Sequence, residues 1–248
     1  MRERDLVGRE GVFVAEGEVV LRMLIASLRF APVSLLIAEK RLAALRQMLV
    51  DLAEDVPVYV AGQAALDAIV GFPIHRGILA LGRRTATPAA GELLANLPRR
   101  ALVVALFGIA NHDNVGGVFR NAAAFGADAV ILDATCCDPL YRKAIRVSVG
   151  AALVMPYAWL APGEDAVALF ERHGFASVAL SPTGATRLAD LRRPDRVAVM
   201  LGAEGPGLPA DLLARAQGVR IPMAAGFDSL NVATTSGVVL HHLAFMAG

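Results

Sequence analysis

Residue types able to do chemistry gather in three glycine-punctuated segments in the second half of the chain: Asn114 to Arg120, Leu201 to Pro209 and Ile221 to Gly237. In the first, Asn114 is placed to cap a helix whose opening turn contains Gly116 and Gly117, with Arg120 further along the same helix. Glycines there let a ligand or another chain approach the backbone, and a helix start favours negative charge. Arg120 adds a planar cation able to grip a phosphate through two hydrogen bonds. A capped helix with an arginine on its solvent face accounts for the same residues without a ligand.

The second segment, LGAEGPGLP, sets Gly202, Gly205 and Gly207 around Glu204 directly after an apolar run. Its spacing is not G-x-G-x-x-G, which argues against a nicotinamide-dinucleotide site. It predicts a tight, repeatedly bent loop whose backbone N–H and C=O groups turn inward, suited to an adenine and ribose. Glu204 either bonds a ligand hydroxyl or braces that loop. In the third segment Ser229 is placed to cap the last helix, with Asn231 in its first turn. An amide there is harder to explain as packing, and Met223 and Leu230 offer apolar walls for a base.

Such segments need strand ends to hold them. Ala101 to Ile109 is a continuous apolar run suited to a central parallel strand, and Val115 to Phe125 reads as a helix stopped by Gly126. Further strands are expected at Ala129–Leu132, Ala176–Leu180, Val197–Leu201 and Val219–Pro222, and helices at Pro139–Val147, Glu164–His173 and Pro209–Gln217. This alternation predicts an α/β fold with a mostly parallel sheet and helices on both faces, with ligands beyond the carboxyl ends of the strands. All three segments follow such ends. Upstream, helical and strand-like pieces alternate from Glu18 to Leu81, which suggests a small α/β domain. The expected boundaries are 1–84 for this domain, 85–98 for a linker rich in small residues and proline, and 99–248 for the second domain.

Composition excludes several classes. With 248 residues, 56% of them hydrophobic, the chain has ample material for buried cores. Its densest apolar run, Ala101 to Ala110, is far short of the roughly 20 residues a membrane span needs. The opening MRERDLVGRE is charged and lacks the apolar stretch of a secretory signal, so a cytoplasmic location is expected. Cys136 and Cys137 are adjacent and make a poor staple, and no histidine has metal-ligand spacing with a carboxylate, so reduced thiols and no metal are expected. A formal charge of +1 means that any nucleic acid must meet a local cluster of arginines.

The ordered set NVGGVFRNAAAFGA, RVSVGAALVMP, LGAEGPGLP and IPMAAGFDSLNV, spread over roughly residues 101 to 246, resembles the SpoU (TrmH) family of S-adenosylmethionine-dependent RNA ribose 2′-O-methyltransferases, within the SPOUT class. REGVFVAEGEVVLRML is similar to the amino-terminal substrate-binding domain that many members carry. The resemblance implies a carboxyl-terminal trefoil knot, a homodimer, and a bent cofactor held in the knot. Knots are otherwise close to absent in proteins, so periodicity alone does not reach this one. By position, the resemblance implies that Leu201, Gly202, Glu204, Gly205, Ile221, Met223 and Leu230 bind the cofactor. It implies also that Arg120, Glu204, Ser229 and Asn231 are catalytic, Arg120 in its own site or the partner's. Two departures stand out: Ala233 where a serine is common, and His112-Asp113 in place of a frequent proline-containing approach to Asn114.

The function so implied is methylation of a ribose 2′-hydroxyl in RNA, ribosomal RNA favoured over transfer RNA, without metal or membrane. Asn114, Arg120, Arg142, Lys143, Arg146 and Arg41 are the expected RNA contacts, with Arg22, Arg29, Lys40 and Arg46 as further candidates. Two other classes remain open: a noncatalytic knotted RNA-binding or ribosome-assembly factor, and a nucleotide-dependent oxidoreductase, which the missing G-x-G-x-x-G disfavours.

Overall fold

In the computed structural model, which describes residues 6–70, 76–227 and 229–246, strands and helices alternate along the chain. The first stretch runs β1 (Val12–Glu16), α1 (Glu18–Ile25), β2 (Ala31–Ala38), α2 (Glu39–Leu49), β3 (Val58–Ala61), α3 (Gln63–Val70) and β4 (Ile78–Arg83). It continues as α4 (Ala90–Ala95), β5 (Ala101–Phe107), α5 (His112–Ala124), β6 (Ala129–Leu132), α6 (Arg142–Val147) and β7 (Tyr157–Trp159). Then come α7 (Ala166–Arg172), β8 (Ala176–Leu180), β9 (Thr186–Arg187), β10 (Arg196–Gly202), α8 (Ala210–Arg215), β11 (Gln217–Arg220) and α9 (Val232–His241).

The chain divides into two units, Met1–Ala86 with Asp138–Val154, and Thr87–Cys137 with Met155–Gly248. The first unit thus takes in α6 and its flanks, which the sequence pattern assigns to the second domain. Long-range contacts bring this about. Gly150 abuts α1 so closely that a Cβ there would lie 2.9 Å from the Met23 side chain, and Ser27 Oγ donates to the Leu153 carbonyl at 2.8 Å. Within this unit the sheet order is β1-β4-β2-β3; β1 and β2 run antiparallel to β4, and β3 runs parallel to β2. Phe13 meets Phe30 edge-on at 5.3 Å, over Gly82, where a Cβ would come within 2.3 Å of the Phe13 ring.

α6 ends unusually. The Val149 N–H bonds to the Arg146 carbonyl and the Gly150 N–H to that of Ile145, the paired bonds of a Schellman cap. Val149 therefore holds the left-handed position, φ 56, that normally falls to glycine. For a side chain with a Cβ this conformation costs roughly 1–2 kcal/mol.

In the second unit the sheet order is β7-β6-β5-β10-β8-β11-β9, and every pair is parallel. β5 is buried at every residue, as its unbroken apolar run requires of a central strand. Ala101, Val103, Ala105 and Phe107 cluster with Leu94 of α4, Phe170 of α7 and Leu212 of α8. By the strand period of two, Leu102, Val104 and Leu106 point to the opposite face, where they are equally buried; α5 and α9 pack against each other and touch the flanking strands β6 and β10. The α4 helix lies inside the stretch 85–98 that its composition marks as a linker. Leu94 is fully buried in the sheet's core, so this stretch is a covering element of the second unit.

α5 stops at Gly126 as expected: the glycine has φ 67, and the Ala127 N–H reaches the Ala122 carbonyl at 2.9 Å. α5 and α9 approach closely, since a Cβ on Gly117 would lie 2.6 Å from that of Ala233. Asn121 Nδ2 ties the pair by donating to the Ala233 carbonyl at 2.7 Å and to Ser236 Oγ at 2.9 Å. The close approach that Gly117 permits is thus to a helix of the same chain. Among the described residues no helix is long and apolar enough to cross a membrane.

Candidate functional site

Two helix starts set the site, and neither is capped where the spacing suggests. α5 begins before Asn114, at His112, and its cap is Asn111, whose Oδ1 accepts from the Asp113 N–H at 2.8 Å. Asn114 consequently falls in the first turn and is 4% exposed. At α9 the cap is Asn231, two residues beyond Ser229; its Oδ1 accepts from the N–H groups of Ala233 at 2.9 Å and Thr234 at 3.2 Å. Asn231 Nδ2 donates to Asn114 Oδ1 at 2.8 Å and to Glu204 Oε1 at 3.0 Å. Both donor hydrogens and the oxygen of this amide are therefore engaged, which fixes the plane of Asn231 and the direction of the Glu204 carboxylate.

Glu204 rides on a loop that glycine makes possible. After β10 the chain turns back on itself: the Gly207 N–H bonds to the Ala203 carbonyl at 3.0 Å, and Gly205 and Gly207 take φ values of 88 and 72. Gly202 lies beneath the returning strand, and a Cβ there would sit 2.2 Å from the Gly207 carbonyl carbon. Only glycine fits that position.

Between these parts lies a cleft of about 450 Å³, within the range of roughly 300–1,000 Å³ usual for small-molecule sites. Its lining comes from Leu180, Ser181 and Pro182 at the end of β8, Leu201 to Gly205 at the end of β10, Ile221 and Met223 after β11, and Ser229 to Val232 at the start of α9. These are carboxyl ends of neighbouring parallel strands, where α/β sheets place ligands. Leu180, Leu201, Val219 and Ile221 make apolar walls, while Ser181, Glu204, Ser229 and Thr235 supply polar groups.

Leu201, Gly202, Glu204, Gly205, Ile221, Met223, Ser229, Leu230 and Asn231, all singled out by sequence, line this one cleft. Asn114 stands behind Asn231 and reaches the cleft only through it. Arg120 is exposed on α5 and is not among the lining residues. Arg41, Arg142, Lys143 and Arg146 belong to the first unit, where Arg41 pairs with Glu18 at 2.9 Å and Arg142 lies 3.9 Å from Glu16. Sequence reasoning missed Ser181, Pro182 and Thr235. The first two follow a recognised strand end, to which the carboxyl-end rule applies equally; Thr235 lies one helical turn beyond Asn231.

The cysteines take no part in the cleft. Burial, and then the neighbouring Asp133 carboxylate, push the Cys136 thiol well above its ordinary pKa, and its Sγ contacts the Leu106 carbonyl at 3.4 Å. Among the described residues there is no group of three or more His, Cys, Asp or Glu side chains that could hold a metal ion.

The fold has solved counterparts. It superposes with TM-score 0.84 on the SpoU methyltransferase AviRb from Streptomyces viridochromogenes in complex with AdoMet, at 20% identity, covering 97% of this chain and 92% of that one. An RNA 2′-O ribose methyltransferase superposes with TM-score 0.78 at 26% identity, covering 97% and 91%. In class, then, this is an α/β protein of the SpoU methyltransferase fold. Residues 101–241 match the model of the SpoU rRNA Methylase family. A tRNA/rRNA methyltransferase of Mycobacterium bovis, itself described as uncharacterized, is 38% identical over 245 residues, 97% of this chain and 83% of that protein. A 23S rRNA (guanosine-2′-O-)-methyltransferase, RlmB, of a Burkholderia species is 30% identical over 183 residues, 73% of this chain and 74% of that protein. The chain belongs to the SpoU rRNA methylase family.

Proposed function

We propose that this protein transfers a methyl group from S-adenosylmethionine to a ribose 2′-hydroxyl of RNA, with ribosomal RNA preferred to transfer RNA. The observation that carries this is the Asn231 amide, which caps α9 and at the same time holds Glu204 at the edge of the strand-end cleft. The 2′-O activity named for the Burkholderia relative and for the solved ribose methyltransferase supports the reading.

The residues present fit an adenosyl ligand. Ile221, Met223 and Leu230 offer apolar surface to a base, and the backbone of the Gly202–Gly207 loop offers hydrogen bonds to its edge. When bound, S-adenosylmethionine supplies a methyl on a positively charged sulfur: an O–C bond forms as the S–C bond breaks, leaving a neutral thioether and releasing the hydroxyl proton. Glu204 is held through Oε1, and its other oxygen has no protein partner among the described residues, so it is free for a ligand hydroxyl. Ser229 adds a second hydroxyl-bonding group on the same lining. Arg120 is a donor and not a proton acceptor. It clamps an RNA phosphate and stabilises the negative charge that develops on the attacking oxygen.

In this proposal the carboxyl-terminal segment is a trefoil knot and the protein acts as a homodimer. Arg120, exposed and outside its own chain's cleft lining, serves the partner's cleft. The test is incubation with labelled S-adenosylmethionine and unmodified ribosomal or transfer RNA, followed by digestion and nucleoside mass spectrometry. A 2′-O-methylated nucleoside in ribosomal RNA is expected. Label on a base overturns the ribose assignment. Cofactor binding without any transfer leaves the noncatalytic RNA-binding factor.

A further inference from the structure

We infer that a cationic groove in the first unit holds the phosphodiester backbone of the RNA; this rests on the reading of RNA as substrate. The groove, about 650 Å³, is lined by Lys40, Arg41, Arg76 and Arg146 together with the first turn of α1. Sequence separates these cations, and folding gathers them: Lys40 and Arg41 open α2, Arg76 precedes β4, and Arg146 comes from α6. The sequence pattern groups Arg146 with Arg142 and Lys143, and draws no attention to Arg76.

Charge bookkeeping favours a polyanion. Among the described residues the single acidic residue of the lining is Glu18, and it already accepts from Arg41 at 2.9 Å and from Arg22 at 3.3 Å. Lys40, Arg76 and Arg146 are exposed and make no ion pair among the described residues. The Arg41 Nε is buried without an acceptor. Because the whole chain carries only +1, this concentration is local and not a by-product of a basic protein.

Geometry adds to the charge. The Arg76 side chain lies over Gly17, where a Cβ would be 2.9 Å from its Cδ, so the glycine makes room for the arginine. α1 and α2 both contribute their opening residues to the groove, and neither has a side-chain cap to take up its first N–H groups. The strained Val149 lines the same groove beside Arg146. Among the described residues the lining offers cations and no aromatic side chain, and cation contacts to phosphate carry no sequence information.

The experiment uses the full chain and the triple variant Lys40→Gln/Arg76→Gln/Arg146→Gln, with Arg99→Gln/Arg172→Gln/Arg192→Gln as a control of equal charge change. Binding of a fluorescein-labelled RNA hairpin is followed by anisotropy over a salt series, and S-adenosylmethionine binding by calorimetry. Expected for the groove variant is a loss of roughly 10- to 100-fold in RNA affinity, with the slope of log K against log salt shallower by about 2–3. S-adenosylmethionine binding stays as in the wild type, and KM for RNA rises more than kcat falls. Equal losses in both triple variants, or wild-type affinity and slope in the groove variant, overturn the groove. A wild-type protein that binds S-adenosylmethionine but neither binds nor methylates RNA overturns the functional reading instead.

Discussion

Asn231 Nδ2 donates to Asn114 Oδ1 at 2.8 Å and so joins the cap of α9 to the first turn of α5 across 117 residues of sequence. The same nitrogen donates to Glu204 Oε1, so one amide sets both helix starts against the bent loop after β10.

Replacing Asn231 therefore has separable effects. Asn231→Ala removes the α9 cap and leaves the buried Asn114 oxygen without its donor, a combined loss of about 2–4 kcal/mol in denaturant unfolding. Asn231→Asp keeps an oxygen for the cap but turns a carboxylate toward Glu204. It is expected to retain more of the stability than the alanine variant and to lose methyl transfer. Equal stability of the alanine variant and the wild type would discard the cap and the link together.

Arg120→Ala is expected to lower methyl transfer by about 100-fold or more while S-adenosylmethionine affinity, measured by calorimetry, stays unchanged. If Arg120 serves the partner's cleft, mixing Arg120→Ala with Gly202→Ala chains restores activity, because one site of each mixed dimer is then intact. Failure of mixing, once mixed dimers are demonstrated, assigns Arg120 to its own chain.

Gly202→Ala places a methyl 2.2 Å from the Gly207 carbonyl carbon, against backbone that cannot move aside without opening the loop. Overpacking of this kind costs about 1–3 kcal/mol. Calorimetry should show cofactor binding lost or weakened by more than tenfold in a protein that still melts cooperatively. Binding at wild-type strength would mean that the loop does not shape the cleft.

Acid stability carries a signature of Asp165, which caps α7 by accepting from the Ala168 N–H at 3.0 Å and takes Arg215 Nη1 at 2.7 Å. The Arg215 hydrogen bond, and then that of Ala168, hold its carboxyl below the ordinary carboxylate range. With the folded pKa depressed, the stabilisation is fully present above the unfolded value near pH 4 and fades as pH falls through the folded one. Thermal melts of wild type and Asp165→Asn should differ above about pH 4 and converge below it. A gap that persists unchanged into stronger acid would remove the Arg215 pairing as its cause.

What sequence alone determined is local in origin. β5, β6 and β8 follow from apolar runs, α5 ends where Gly126 permits a left-handed turn, and the bent loop after β10 follows from three closely spaced glycines. Most of the cleft lining was legible because parallel sheets present their strand-end loops on one side, and glycine and polar residues mark those loops. The resemblance in four ordered motifs added the family.

Tertiary structure alone decided the rest, since each point depends on residues far apart in the chain. Whether Asn111 or Asn114 caps α5 is nearly degenerate locally, and the bond from Asn231 is what gives Asn114 a different partner. The stretch 85–98 looks like a linker by composition, yet Leu94 finds a sheet face to bury against. Residues 138–154 join the first unit because Gly150 fits against α1 and Ser27 reaches Leu153. That same joining brings Arg146 to Lys40 and Arg76. Periodicity and punctuation report the preferences of neighbours along the chain; which surfaces meet is settled only by packing and by the satisfaction of buried polar groups over long separations.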